Sequence, residues 1–234
     1  MKIKVILTVP HKNCSLKELE FFLTQKTADI YIFPEGFLDS TTLDDALKII
    51  KKNKKYVIAG FKDLNRNGQH NAIVIDEGEI VSRYTKCILT KGEKEKGKKS
   101  GESIFCVETK FGKIGIPICY EIHFPEVARI MSLEKPVLLI NIIGTGMFHD
   151  LQLEQWTTLA KARAIENEVY VLGCSHFDGE IPLAYAFDPS GKCILLKRGE
   201  YGAFVVEIDS DKSNEKLINY FEDREPSLFN AMSE

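Results

Sequence analysis

Short apolar runs alternate with amphipathic stretches along the whole chain, and that alternation restricts it to layers of helix and sheet. Ile3 to Val9, Ile30 to Phe33 and Lys55 to Gly60 are short and almost uniformly apolar, so they read as buried strands. Between the first two, Ser15-Leu16-Lys17-Glu18 spells a capping box that opens a helix to about Thr27. Pro34 is expected to stop the second strand. Thr41 or Thr42 then caps a helix from Leu43 to about Lys52, whose lysine-rich end complements the helix dipole. Ala72 to Ile75 and Glu79 to Tyr84 form a hairpin through Asp76-Glu77-Gly78.

The second half has the same grammar. Strands Ile104 to Glu108 and Ile114 to Ile118 flank a turn at Phe111-Gly112-Lys113, and a helix follows from Phe124 to about Leu133. Pro136 to Asn141 is a buried strand, and the longest helix runs Gln152 to Asn167 with Trp156, Ala160, Arg163 and Ala164 at helical spacing. Val169 to Cys174, the hairpin Ala184 to Phe187 with Cys193 to Leu196, and Ala203 to Ile208 complete the strands. This order predicts an α/β protein with two stacked mixed sheets and, without a linker, a single domain over 1–234. The polar tail to Glu234 either packs on a partner or hangs loose.

Bulk properties narrow the partners. A net charge of −3 gives no reason to expect nucleic acid. No apolar stretch approaches the roughly 18 residues that span a bilayer, and the N-terminal apolar run is too brief for a signal-peptide core. A cytoplasmic protein is expected. The six cysteines (Cys14, Cys87, Cys106, Cys119, Cys174 and Cys193) show no paired or zinc-like spacing and are expected to be free thiols. No metal or organic cofactor is implied, because no ligand cluster is apparent.

Three segments carry candidate chemistry. Cys119 ends an apolar strand just before the helix signal Phe124-Pro125-Glu126, the position of a nucleophile on a strand-to-helix elbow. Its bland alternative is a buried structural cysteine. Glu35 follows a buried strand at once, where an α/β fold places catalytic groups or, equally, a solvated loop carboxylate. Lys86 lies at a strand end among apolar neighbours, where partial burial would bring its ammonium to a carboxylate. The loop Thr90 to Gly101 is lysine-rich, and Gly144 to Phe148 either lines a pocket or simply connects.

Phe33-Pro34-Glu35, Tyr84-Thr85-Lys86, Gly115 to Glu121 with Phe124-Pro125-Glu126, and Ala162 to Asn167 resemble, in order, the motifs of the nitrilase superfamily of carbon–nitrogen hydrolases. The resemblance covers most of the chain, from the first strand to Asp188-Pro189-Ser190-Gly191. It implies a four-layer αββα sandwich, a homodimer or higher homo-oligomer, and a cysteine-dependent hydrolase of a small amide or carbamoyl compound. It further implies Glu35 as general base, Lys86 as the cation beside the oxyanion and Cys119 as nucleophile. A second active-site glutamate follows the lysine in this family; Glu93 is the best match, with Glu95 and Glu102 as rivals. The Tyr120 backbone N–H is implied as an oxyanion donor, and Met147 stands where many members carry a pocket tryptophan.

The chain departs from the family pattern at Ile88, where a histidine is frequent, and at Leu183-Ala184-Tyr185-Ala186. N-carbamoyl hydrolysis and nitrile hydrolysis are the alternatives on this scaffold. True nitrilases tend to be longer and to carry Trp in place of Tyr120. From a different class, the chain could be a binding or regulatory module that keeps the scaffold without turnover.

Overall fold

A computed structural model describes residues 1–12, 15–210, 219–220 and 223–233, so Cys14 and much of the polar tail lie outside the described residues. The first half runs β1 (Lys2–Val9), α1 (Ser15–Gln25), β2 (Ile30–Asp39), α2 (Leu43–Asn53), β3 (Tyr56–Asp63), β4 (Gln69–Asp76) and β5 (Glu79–Thr85). A short α3 (Lys91–Glu95) follows. The second half runs β6 (Val107–Thr109), β7 (Gly112–Gly115), α4 (Pro125–Leu133), β8 (Leu138–Ile143), α5 (Asp150–Asn167), β9 (Tyr170–Ser175), β10 (Leu183–Phe187), β11 (Cys193–Arg198) and β12 (Gly202–Asp209). The described part of the tail forms a 3-10 helix, Pro226–Ser233.

The strands make two six-stranded mixed sheets, β12-β1-β2-β3-β4-β5 and β6-β7-β8-β9-β10-β11. Read in those directions, both sheets follow one pairing plan. The first pair is antiparallel, the next two are parallel and the last two antiparallel. Each parallel step is bridged by a helix, α1 and α2 in one sheet and α4 and α5 in the other, as parallel pairs require.

The central strands are apolar on both faces because each sheet is covered twice. Ile3, Val5, Leu7 and Val9 belong to the core that includes the second sheet, together with Ile140 and Leu172. Ile6, Tyr31 and Phe33 point the other way, against Phe22 of α1 and Ile50 of α2. Side chains alternate faces along a strand, which produces this division. Val127, Met131, Trp156 and Ala160 of α4 and α5 join the larger core. The result is the four-layer αββα sandwich.

Two strands differ from expectation, each at a proline. Pro34 does not stop β2; the strand continues to Asp39 through an irregularity. Phe33 pairs with Ala59 and Leu38 with Phe61, which leaves Pro34, Glu35, Gly36 and Phe37 opposite Gly60 alone. Proline has no N–H to donate and is tolerated at such a bulge. In the second sheet β7 ends at Gly115 rather than Ile118, because Pro117 interrupts the ladder; beyond it only the bridge Ile118–Ile142 forms.

Smaller differences lie at element ends. Helix α1 begins at Ser15 itself, and the Glu18 carboxylate accepts from the His11 backbone N–H at 3.3 Å. The segment read as a strand from Ile104 pairs only from Val107.

The bulge depends on Gly60. A Cβ there would fall 2.3 Å from both Glu35 Cα and Pro34 O, and 2.5 Å from Gly36 N. All three are backbone atoms that cannot swing aside. Gly60→Ala should therefore lower unfolding free energy by about 1–3 kcal/mol, the usual range for forced overpacking. Urea denaturation of the two proteins measures this, and equal midpoints would show that the bulge yields without strain.

Candidate active site

The bulge in β2 turns Glu35 inward, and its carboxylate is only 6% exposed. Its backbone carbonyl accepts a hydrogen bond from His176 Nε2 at 3.0 Å. Burial pushes the fully enclosed His176 down to about pH 4, so the ring stays neutral and holds that proton on Nε2. Glu35 is thus no solvated loop residue.

Lys86 follows the end of β5 and is 1% exposed. Its ammonium donates to Glu35 Oε1 at 3.0 Å and to Glu93 Oε1 and Oε2 at 2.9 and 3.1 Å. Burial alone would depress this ammonium, but the Glu35 and Glu93 carboxylates outweigh it and the pKa is raised. Glu93 shows the reciprocal effect: burial favours its neutral form, yet Lys86 holds its carboxyl below the ordinary range.

Glu93 reaches Lys86 because a capping box fixes it there. Thr90 Oγ1 accepts from the Glu93 N–H at 3.3 Å, and Glu93 Oε2 accepts from the Thr90 N–H at 2.8 Å. Glu95 instead lies 3.8 Å from the exposed Lys91, and Glu102 lines surface hollows. Of the three rival glutamates, the structure brings Glu93 to the lysine.

Cys119 sits at φ +52, a left-handed conformation uncommon for a residue with a side chain, and begins the 3-10 turn Cys119–His123. The residue keeps some surface open while its sulfur is enclosed. Glu35, Lys86 and the Gly144 backbone N–H are the groups that act on the thiol. Burial and Glu35 push the thiol up, while Lys86 and Gly144 oppose them; the net direction is upward, toward a protonated resting thiol. A Cβ on Gly144 would fall 2.5 Å from Glu35 Oε2, so a side chain there would displace the carboxylate from its present place.

Two buried polar residues hold this elbow, and both escaped the sequence reading. Asn141 on β8 donates to the carbonyls of Pro117 and Cys119 at 2.8 and 3.1 Å, and accepts from Trp156 Nε1 and the Tyr185 hydroxyl. Glu121 is fully buried and accepts four hydrogen bonds. Ile118 N–H reaches one oxygen at 2.7 Å; Cys87 N–H at 2.7 Å, Ile88 N–H at 3.1 Å and the Tyr84 hydroxyl at 3.0 Å reach the other. One carboxylate therefore ties the residue before Cys119 to the two residues after Lys86.

Tyr120 directly follows Cys119, and its ring packs against His123 and Phe124. Met147 is buried, with its main chain paired to Ile181. His70, also absent from the sequence reading, stands beside the acids, its Nδ1 3.1 Å from Glu35 Oε1. Glu35, His70 and Glu93 place one potential ligand atom each within 4.8 Å of one another. Lys86 already bonds both carboxylates, so an ammonium fills the role a cation would take there. Among the described residues the five cysteines are free, and no helix is long and apolar enough to cross a membrane.

A left-handed cysteine elbow facing a buried Glu–Lys–Glu set, inside an αββα sandwich, defines a class of thiol hydrolase scaffold. The carbon-nitrogen hydrolase family model matches residues 19–215, and the chain belongs to that family. It is 28% identical over 250 residues to a 2-oxoglutaramate amidase of Bacillus subtilis, covering 94% of each chain. It is 30% identical over 168 residues to a probable nitrilase of Schizosaccharomyces pombe, covering 68% of this chain and 60% of that protein. The match thus spans less than two thirds of the yeast relative's length. The fold is shared with a carbon-nitrogen hydrolase from Helicobacter pylori G27, at a TM-score of 0.85 and 17% identity over 100% of this chain and 99% of that one.

Two stability measurements check these contacts. Glu121→Gln replaces one acceptor oxygen with a donor that faces backbone N–H groups, so it should cost about 1–3 kcal/mol by urea denaturation. An unchanged midpoint would remove the clamp. The second concerns pH. A carboxyl held below its unfolded value contributes stability that is complete above the ordinary glutamate value of 4.5 and is lost as pH falls toward the folded value. Glu93→Gln should accordingly flatten the acid limb of stability below pH 4.5, and a limb identical to that of the unaltered protein would refute the pairing.

Proposed function

We propose that the chain is a cysteine-dependent amidase acting on a small-molecule amide, with Cys119 as nucleophile, Glu35 as general base and Lys86 as the cation beside the oxyanion. The observation that carries this reading is the shared ammonium. Lys86 bonds Glu35 and Glu93, and the same ammonium and Glu35 carboxylate act on the Cys119 thiol.

A resting thiol that is protonated and enclosed is inert until its proton is removed. Glu35 takes that proton as sulfur attacks the substrate carbonyl carbon, so no free thiolate has to persist in the buried site. The carbonyl oxygen gains the electron pair, and the Lys86 ammonium and the Tyr120 backbone N–H stabilise its charge. Collapse breaks the carbon–nitrogen bond; Glu35 returns the proton to the departing amine, leaving a thioester on Cys119. Water then attacks the thioester, again with Glu35 taking a proton, and releases the carboxylic acid and the thiol. Glu93 holds the far side of the Lys86 ammonium, keeping it aimed through both half-reactions.

The amidase reading is supported by the whole-length similarity to a protein named 2-oxoglutaramate amidase. A nitrile substrate is the second reading, supported by the relative named a probable nitrilase. We take the protein to act as a homodimer, which light scattering tests.

A screen of small amides, ω-amides, carbamoyl compounds and nitriles, read by ammonia release, distinguishes the readings. Amides should turn over, and Cys119→Ser or Cys119→Ala should abolish turnover with the fold intact by circular dichroism. Lys86→Met should cost at least about 10²-fold in kcat, the usual loss for one oxyanion donor. Undiminished hydrolysis by the Cys119 variants would discard the mechanism. Release of carbon dioxide with ammonia would move the substrate to the carbamoyl class.

A further inference from the structure

The two oxygens of Glu35 stand in different surroundings. Oε1 is 3.0 Å from Lys86 Nζ and 3.1 Å from His70 Nδ1. Oε2 faces Gly144, whose backbone N–H acts on the Cys119 thiol. One oxygen is therefore anchored, and the other lies toward Gly144, which borders the Cys119 thiol. Lys86 and His70 are the two groups that grip the anchored one.

His70 is itself gripped from behind. Its Nε2 is in close contact with Lys98 Nζ and lies 3.7 Å from Glu93 Oε1. An ammonium has protons to donate and no lone pair to accept with, so Nε2 must accept. In a neutral imidazole the single proton then sits on Nδ1, against Glu35. The opposite tautomer would face an N–H toward the Lys98 ammonium and a lone pair toward the Glu35 carboxylate, and both contacts would repel. The Nδ1–H direction is not aligned with the carboxylate oxygen, so the contact is electrostatic rather than a linear hydrogen bond.

Four charged groups surround the ring: Glu35 from β2, Lys86 after β5, Glu93 from α3 and Lys98 after α3. Burial depresses the His70 pKa, and the two lysines add to that effect against the two carboxylates, so the ring is neutral at neutral pH. Lys98 is held in place by its loop. Asn67 Nδ2 donates to the Gly97 carbonyl at 2.6 Å, and Gly101 N–H donates to the Lys86 carbonyl at 2.7 Å. Lys98 also borders a solvent-open hollow of about 680 Å³ with Ile88, Leu89 and Lys94, so its side chain can be shortened without breaching the core.

We propose that Lys98 selects the Nδ1–H tautomer of His70, and that His70 in this form is a positioning residue fixing Glu35 with Oε2 turned toward Gly144, beside the Cys119 thiol. The positioning role rests on the reading of Glu35 as base; the tautomer does not.

Two measurements test it. Long-range proton–nitrogen NMR of the imidazoles, with the His70 signal assigned by its loss in His70→Asn, should show the proton on Nδ1. In Lys98→Met it should move to Nε2 or divide between the nitrogens. A proton on Nε2 in the unaltered protein, or one tautomer in both proteins, overturns the selection. The second measurement is the rate at which iodoacetamide alkylates Cys119 at pH 7.

His70→Asn can place an amide N–H where Nδ1–H stands and should stay within about threefold of the unaltered rate. His70→Phe keeps the ring volume without the donor and should be slower by about tenfold, the size of one charge-assisted contact. Equal rates in all three, or a faster rate with Phe than with Asn, overturn the positioning role. Should His70→Phe not fold, the Lys98→Met spectrum still decides the tautomer, and the Lys98→Met alkylation rate decides the positioning role: it should fall with the Nδ1 proton, and an unchanged rate overturns the role. Failure of the amidase reading would appear separately, as turnover that survives Cys119→Ser, and would leave the tautomer result standing.

Discussion

An ammonium group withdrawn from water has to be met by negative charge, and Lys86 imposes that demand on everything around it. Removing such a charge from solvent costs several kcal/mol even after relaxation, which good geometry and several partners must offset. Two carboxylates at 2.9–3.0 Å supply the offset. Each reaches Lys86 through a local device that would otherwise look like a defect. Glu35 needs four residues of β2 to bulge opposite one glycine. Glu93 needs a five-residue helix whose capping box turns its side chain back toward the strand end. Neither device has an evident use without the lysine.

The elbow that carries the sulfur is held by an independent set of contacts that end on the residues flanking Lys86. Asn141 holds the carbonyls on either side of the left-handed turn, and Glu121 holds the N–H just before it. Because Glu121 also binds the N–H groups of Cys87 and Ile88, the elbow and the lysine share one rigid anchor. A left-handed conformation in a non-glycine residue costs of order 1–3 kcal/mol and persists only where its surroundings over-determine it. Here they do, with two fully buried polar side chains whose every described bond serves the turn or its support.

The strand and helix plan was legible because periodicity and turn residues report local structure directly, and both hairpins fall where their turn spellings put them. Glu35, Lys86 and Cys119 were legible as strand-end residues beside motifs that resemble a known family. Glu93 was only one of three glutamates, although Thr90-Lys91-Gly92-Glu93 spells a capping box that distinguishes it from Glu95 and Glu102. His70, Glu121 and Asn141 were not visible as functional residues, and Gly144 only as part of a loop that either lines a pocket or connects. Their importance lies in contacts across 22 to 37 positions of sequence or more, such as Asn141 to Cys119 and Tyr84 to Glu121, and no local pattern encodes such pairs. The two misplaced strand ends each lie at a proline. A proline removes one ladder bond, but whether the strand stops or bulges depends on the neighbouring strand, and Gly60 decides it for β2.

The pairing plan repeated in the two sheets explains why the site lies where it does. Each half presents the ends of its parallel strands in the same direction, and stacking the sheets sets those ends against each other. Glu35 and Lys86 come from the first sheet, Cys119 and Gly144 from the second, so neither half contains the site. The carboxylate meets the elbow only through the stacking, and at Gly144 there is no room between them for a side chain with Glu35 where it stands. Glu121 spans the same junction, joining strand β5 of the first sheet to the elbow of the second. The carboxylate of Glu121 therefore joins the two sheets at the place where Lys86 and Cys119 meet, and the same four hydrogen bonds that hold the junction hold the backbone beside both residues.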